Sequence, residues 1–503
     1  MSLDLGLTPA STGLASINRQ MAVVSQNVAN AGTAGYSREL VANTSLTAGG
    51  VGYGVQVGVA TRETDAALQK ALNQQNAAVA GQQVTSDTLA SVDAAQGATA
   101  AGNDLASRLG TLTDAFTTLA TNPSNQAQQS AVVSAASNLA SGIRSQSAAY
   151  TAARQSVQDG LVTDVSSLNA AVSNIGKLSD EIIAGKSRGE STADLEAQRD
   201  AQEQTAAQIG GLRFIPSGNG DVTAVSGGLI VDTRAQSGPF KIDSTTLNPG
   251  SSAPQLTLSG TNVTSAIKDG SLGARLTLRD TTLPQAQAGL DEFAQTLSTR
   301  LANQGLSLFT DPSGNLPATG GTPVQAGYIG YSASITVNPS VSATPSLVRD
   351  GTNSVADGTG SATAFTPNPA GGPAGSTTLI NRVLLYGFGA QAQSGVNQPP
   401  VTTTGLGADG SFSLPYNSGG TLASFAANLV GSQAQTAGAA KDALTDSSAL
   451  QNTLSTKLQD ETGVSIDTEL SNMVVLQNAY GANAKIITAS QSMWTTLLNA
   501  VTP

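Results

Sequence analysis

The stretch VSIDTELSNMVVLQNAYGANAKIITASQSMWTTLLNAV, residues 464–501, decides how this chain is read. Apolar or small residues recur in it at alternating steps of four and three: Ile466, Leu470, Met473, Gln477, Tyr480, Ala484, Ile487, Gln491, Trp494, Leu498 and Val501. A helix shows this pattern when one narrow face packs along another helix. Gln477 and Gln491 are polar positions in the seam. A polar residue there lowers stability but can fix register and partner number.

The N-terminal end mirrors it. Leu3, Leu7, Ala10, Leu14, Ile17, Met21, Val24 and Val28 follow the same steps. Thr8 suits a cap and Pro9 the first helical position, which would leave Leu3 and Leu7 before the regular helix. Asn30 and Gly32 are stop signals. The plainest reading is two terminal helices packed on a globular body. A single narrow stripe returns little against the entropy of ordering a helix. The ends are therefore expected to order fully only against neighbouring subunits.

The chain has 503 residues, enough for several domains with their own cores. Charged residues make up only 11% and aromatics 4%, and the net charge is −11. That balance argues against nucleic acid, whose phosphates need clustered Lys and Arg, and against an anionic membrane surface. There is no Cys and no His. Disulfides, thiol nucleophiles, His-dependent triads and His or Cys metal sites are excluded, and no cofactor is expected. The opening MSLDLGLTPAS has no basic region and no continuous apolar run, so it does not read as a secretory signal. No segment reaches the roughly 18 apolar residues that span a bilayer.

Working inward, Asn30 to Arg38 is a Gly-punctuated loop, and Val55, Val57 and Val59 behind Gly49-Gly50 suggest a β-hairpin. From about Thr64 to Gly210 the pattern is helical, interrupted by Pro123. Leu105, Leu109, Leu112, Phe116 and Leu119 form one seam; Leu161, Val165, Leu168, Val172, Ile175, Leu178 and Ile182 form another. Of the 19 prolines, 16 fall between Pro216 and Pro415, so the middle of the chain reads as short strands and turns. Leu283, Ala286, Leu290, Phe293, Leu297 and Leu301 return to helical spacing inside it. The expected fold is mainly α with inserted β domains: paired N- and C-terminal heptad helices, an elongated helical bundle and two β-rich insertions. Residues 1–45 plus 464–503 would form a terminal coiled-coil assembly domain. Residues 46–210, 264–308 and 424–463 would form the bundle, and 211–263 and 309–423 the small and the second inserted β domains.

Candidate chemistry is thin. Asp180-Glu181, Asp194 with Glu196, and Asp460-Glu461 are carboxylate pairs, but they fall on expected helix surfaces rather than across a cleft. Asp311-Pro312-Ser313-Gly314-Asn315 reads as an Asx-type turn rather than a calcium loop, since the closing Glu is absent. The chain is not expected to be an enzyme.

Ser25-Gln26-Asn27-Val28-Ala29-Asn30-Ala31-Gly32-Thr33-Ala34-Gly35-Tyr36-Ser37-Arg38 resembles the N-terminal signature of the flagellar rod, hook and hook-associated proteins. Gly463 to Met473, Gln477, Tyr480, Ala482 to Ile487, Met493 and Leu497-Leu498 resemble its C-terminal partner. The motif residues carried over are Asn27, Asn30, Gly35, Tyr36, Arg38, Asn472 and Asn483. The long helical region sets the chain apart from the hook and rod branches and is similar to the hook–filament junction branch. So are Gln198-Arg199-Asp200 and Gly273 to Asp280. The resemblance implies a structural protein of the bacterial flagellum, exported unfolded through a type III channel without a cleaved signal and located outside the cell. It implies a ring joining hook to filament, built by coiled-coil packing of Leu14, Ile17, Met21, Val24 and Val28 with Ile466, Leu470, Met473, Gln477, Tyr480, Ala484, Ile487, Gln491, Trp494 and Leu498. The implied partners are further copies of the chain, hook protein, hook-associated protein 3 and an export chaperone on the C-terminal helix. The competing readings are a non-flagellar coiled-coil adhesin or stalk protein and an extracellular glycan-active enzyme.

Overall fold

The structure is a computed structural model and describes residues 4–33, 35–48, 51–96, 102–235, 237–318, 320–417 and 420–501. Leu3 of the first seam, Ala34 of the motif loop, Gly49 and Gly50 of the hairpin turn and the Val501 side chain lie outside the described residues. The chain is mainly helical, with long terminal helices and several small sheets set between helices.

Helix α1 (Asp4–Asn30) starts earlier than the Thr8-Pro9 signal suggested and carries Pro9 inside it. A proline in the opening turns forgoes only one main-chain bond. The Thr8 carbonyl there accepts from the hydroxyls of Ser11 and Thr12, each at 3.0 Å. The chain then doubles back as an antiparallel hairpin, β1 (Glu39–Ala48) and β2 (Val51–Arg62), bulged at Val41/Asn43 and Leu46/Thr47. Gly58 lies opposite the first bulge, where a Cβ would overlap the Ala42 carbonyl. The hairpin runs along α1, with the Val55 amide donating to Thr12 Oγ1 at 3.2 Å. The boundary expected at residue 45 therefore falls inside a hairpin that belongs with the terminal helices. Its two strands cannot be divided without breaking their ladder.

The body is built on α2 (Ala66–Gln96), α3 (Leu105–Thr121), α4 (Gln126–Arg188), α5 (Ala193–Gly210), α6 (Gly270–Thr277) and α7 (Leu283–Asn303). The Asp104 carboxylate caps α3 by accepting from the amides of Ala106 and Ser107, and Asn125 caps α4 in the same way. Gly189, at φ 71°, ends α4. Between those caps α4 runs unbroken for 63 residues, longer than its Leu161–Ile182 seam alone implied. The intervening residues hold no proline, and Gly176 lets α4 pass close to the Thr233 carbonyl. A π turn, Leu278–Thr282, joins α6 to α7.

Two cores result. One gathers Leu161, Leu168 and Ile175 of α4 with Leu212, Ala224, Phe240, Leu258 and Leu272. It lies under two three-stranded sheets, β3 (Arg213–Pro216), β4 (Val222–Ser226) and β5 (Leu229–Val231), and β6 (Phe240–Lys241), β7 (Thr257–Leu258) and β8 (Thr261–Asn262). The other joins α3, the first half of α4, α7 and α8 (Leu422–Thr462) to residues 309–388. Phe116 meets Phe388 edge-on at 5.8 Å, and Phe293 meets Phe425 at 5.4 Å. Residues 309–423, expected as a β domain, contain strand pairs of two or three residues and short helices. Frequent Pro and Gly stop each strand early, and the apolar side chains bury against the helices. Asp311 forms the expected turn, accepting from the amides of Ser313 at 2.9 Å and Asn315 at 2.8 Å.

Two carboxyls on α7 anchor this region. Asp291 accepts from Ser332 Oγ at 2.5 Å and from the amides of Ser332 at 3.0 Å and Gly330 at 2.8 Å. Glu292 accepts from the Tyr328 hydroxyl at 2.5 Å and the Thr402 amide at 3.2 Å. Complete burial pushes Asp291 up to about 6, against the pull of its hydrogen bonds. A carboxyl raised in the fold stabilises it fully below the unfolded pKa and loses that contribution as pH rises through the folded value. Over that window, from roughly pH 4 to pH 6, Asp291 should cost about 3 kcal/mol. Asp291→Asn is expected to remove that slope, read as the difference in urea midpoint between pH 4.5 and pH 7. An unaltered slope would assign it to other groups.

Candidate functional site

The last helix, α9 (Ile466–Val501), packs antiparallel to α1. Gly13, in the middle of α1, lies against the Asn483 side chain. Arg38, just past α1, meets Glu469 in the first turn of α9. Ala10, Ile17, Val23 and Val24 of α1 are buried; Leu14, Met21 and Val28 are half-buried.

On α9 the stripe turned inward is Glu469, Met473, Leu476, Ala479, Asn483 and Ile487, again at steps of three and four. Of the seam read from the sequence, Met473, Ala484 and Ile487 share that side. Ile466, Leu470, Gln477, Tyr480, Gln491, Trp494 and Leu498 are exposed. Val474, Val475, Ile486, Met493, Trp494 and Leu497 are each at least 50% exposed. By the antiparallel register Met493 and Trp494 lie at or beyond the first described residue of α1. Apolar area of this extent on one helix marks an interaction surface.

Below the helix pair, the motif residues form a polar knot. Asn27 is buried on the last turn of α1 and clamps the start of β1 on both sides. Its Nδ2 donates to the Glu39 carbonyl at 2.9 Å, and its Oδ1 accepts from the Glu39 amide at 3.0 Å and the Tyr36 hydroxyl at 3.0 Å. Burial, and next the nearby Glu39 carboxylate, push Tyr36 up to about 12. Burial likewise raises Glu39, with Asp194 adding to it and Arg62 opposing. Asn30 Nδ2 donates back to the Gln26 carbonyl at 3.1 Å, and Gly35 takes φ 79°, a left-handed conformation suited to glycine. Arg38 Nε reaches Glu469 Oε1 at 2.6 Å, and its amide donates to the Thr462 carbonyl at 2.9 Å. Asn483 Nδ2 donates to the Ala479 carbonyl at 3.1 Å within α9, and Asn472 is half-buried. One short loop thus ties α1, the hairpin, the end of α8 and the start of α9 together.

Glu39, Glu469 and Leu476 are contact residues that the seam reading missed. A lone carboxylate at a seam position, with an Arg just beyond the facing helix, is the available signal for Glu469. The carboxylate pairs lie elsewhere, on helix surfaces. Asp180 pairs with Arg234 at 2.8 Å and Glu196 with Lys186 at 2.9 Å.

Residues 89–316 match the family model for the flagellar hook-associated protein FlgK helical domain, and residues 460–500 match that for the C-terminal region of the flagellar basal body rod FlgEFG proteins. The chain belongs to the family of flagellar hook-associated protein 1. The two matches cover the body from the end of α2 through α7 and the whole described surface of α9 except its last residue. No curated protein matches. Among solved structures, the flagellar hook junction protein FlgK from Burkholderia pseudomallei is similar at 23% identity with a TM-score of 0.40. That alignment covers 50% of this chain and 46% of the other, so the chain spans about half the length of that relative. That family is one of structural flagellar proteins.

Proposed function

We propose that the protein forms the junction ring between hook and filament, with copies packed side by side through their terminal helices. The observation that carries this reading is the half-open face of α9. One stripe is covered by α1 within the chain, while Leu470, Val474 and Trp494 remain exposed for neighbouring copies. In a ring, contacts run head to tail, so such a face is covered by a different face of the next subunit, such as its α1. Hook protein would lie on one side of the ring and hook-associated protein 3 on the other. The same apolar stripe, Met473 to Leu498, suits an export chaperone that covers it before assembly. The protein would leave the cell unfolded through the flagellar type III channel and act outside it.

Cells lacking the protein are expected to carry bare hooks and to lose flagellin to the medium, as seen by electron microscopy and an assay of the culture supernatant. Complementation with a chain truncated before Trp494 should not restore filaments. Normal filaments in the deletion strain would remove the junction reading and bring the adhesin or stalk reading forward.

A further inference from the structure

The terminal lobe (α1, β1–β2 and α9) meets the body at a joint crossed by several polar contacts. Across it, Arg62 Nη2 at the end of β2 pairs with Asp200 Oδ2 on α5 at 2.6 Å. Ser191 Oγ donates to the Ala60 carbonyl at 3.0 Å, and Gln26 Nε2 reaches Asp194 Oδ1 at 3.4 Å. Beside the ion pair lies a cavity of about 470 Å³, lined from both sides of the joint by Ser37, Arg62, Asp200, Glu203 and Thr462.

The cavity wall is unusual in its hydrogen bonding. Arg62 Nε, Arg199 Nε and Glu203 Oε1 are buried with no hydrogen-bond partner among the described residues. Arg199 and Glu203 stand 3.2 Å apart, within ion-pair range but not aligned for a hydrogen bond. Arg199 spends its Nη1 instead on the Gly220 carbonyl at 2.6 Å. Glu203 is thus a buried carboxyl one helical turn from Asp200, next to a pair it does not join.

We infer that Arg62, Asp200 and Glu203 form a proton-operated latch that holds the terminal lobe at a fixed angle to the body, closed when Glu203 is protonated and released when it ionises. Neutral Glu203 leaves Arg62 to Asp200 alone. Ionised Glu203 places a second, less exposed negative charge one helical turn from Asp200 and competes for Arg62. Opening the joint lets water reach that charge. The other charged groups lining the cavity are Glu196 on α5, Asp65 and Lys70 at and on α2, Arg213 on β3 and Asp269 before α6. They carry both signs, so the latch depends on the local arrangement rather than on a net field. Burial, then Asp200, pushes Glu203 up to about 7 in the closed joint, with Arg199 and Arg62 opposing. Because the closed-state value is raised, the contribution to closure is full below the ordinary carboxyl range and is lost as pH rises through about 7. The difference amounts to roughly two orders of magnitude in the closed-to-open ratio.

The Arg38 amide, bonded to the Thr462 carbonyl across the joint, reports opening by hydrogen exchange. In the full chain, its protection, after division by the intrinsic rate, is expected to fall about a hundredfold between pH 5 and pH 8. Glu203→Gln should hold it high at both values, and Asp200→Asn should leave it low at both. Unchanged protection over Leu161 to Ile175 in each variant confirms that the body is folded. Flat protection in the wild type, the wild-type fall persisting in Glu203→Gln, or high protection in Asp200→Asn would each overturn the latch.

Discussion

Arg38→Ala is expected to free α9 from α1 and the hairpin and to abolish assembly while leaving the body folded. The reason lies at the far end of the ion pair. The Glu469 side chain is 1% exposed, so removing its partner strands a carboxylate that water cannot reach. Breaking one side of a buried pair costs about 3–5 kcal/mol. Here the cost sits near the lower end, because Glu469 lies in the first turn of α9, where the helix N-terminus favours negative charge. About 3 kcal/mol raises the open population of α9 roughly a hundredfold, and proteolysis tracks that population when reclosing is fast. Lys485, exposed in the middle of α9, is the natural reporter. Trypsin cleavage after it should accelerate by about that factor in Arg38→Ala, and swarming on soft agar should be lost. Arg38→Lys should recover only part. Arg38 spans Glu469 through Nε and Glu63 through Nη1, and an ammonium cannot reproduce that fork. An unchanged cleavage rate in Arg38→Ala would mean that Arg38 holds nothing together.

Why Arg38 was visible only through its motif says where sequence reading stops. The α3 seam, Leu105 to Leu119, was legible because its period, its Asp104 cap and its Asn122-Pro123 stop all agree. The terminal seam was legible in period but not in phase. The stripe of α9 that meets α1 includes Glu469 and Asn483, residues a hydropathy reading discards. They belong there because Arg38 neutralises the first and Gly13 makes room for the second. The partners lie more than four hundred residues apart in sequence, and no local rule pairs them. The middle of the chain failed differently. Its prolines and glycines announce turns correctly, yet strands of two or three residues carry no alternation to read, so what looked like a self-contained β domain is a covering of the helical core.

That shared core makes the second large effect. Phe293 on α7 is fully buried, packs edge-on against Phe425 of α8, and belongs to the cluster that also holds Phe309, Tyr331, Val348 and Phe388. Truncating such a ring costs the transferred surface plus the cavity left behind, about 3–5 kcal/mol. Phe293→Ala should therefore lower the urea midpoint strongly. Because helices and covering segments share the cluster, loss of the 309–423 region and loss of α3, α7 and α8 should occur in one transition rather than two. Far-UV circular dichroism and hydrogen exchange over 328–348 would follow the two parts separately. Two separated transitions would mean that 309–423 folds on its own after all, with a core of its own. Ile230→Ala is the companion measurement. Ile230 is 74% exposed on the outer strand of its sheet, so its truncation should shift stability by no more than about 0.5 kcal/mol. A large effect there would show that the outer face of β5 is covered by something the single chain does not contain.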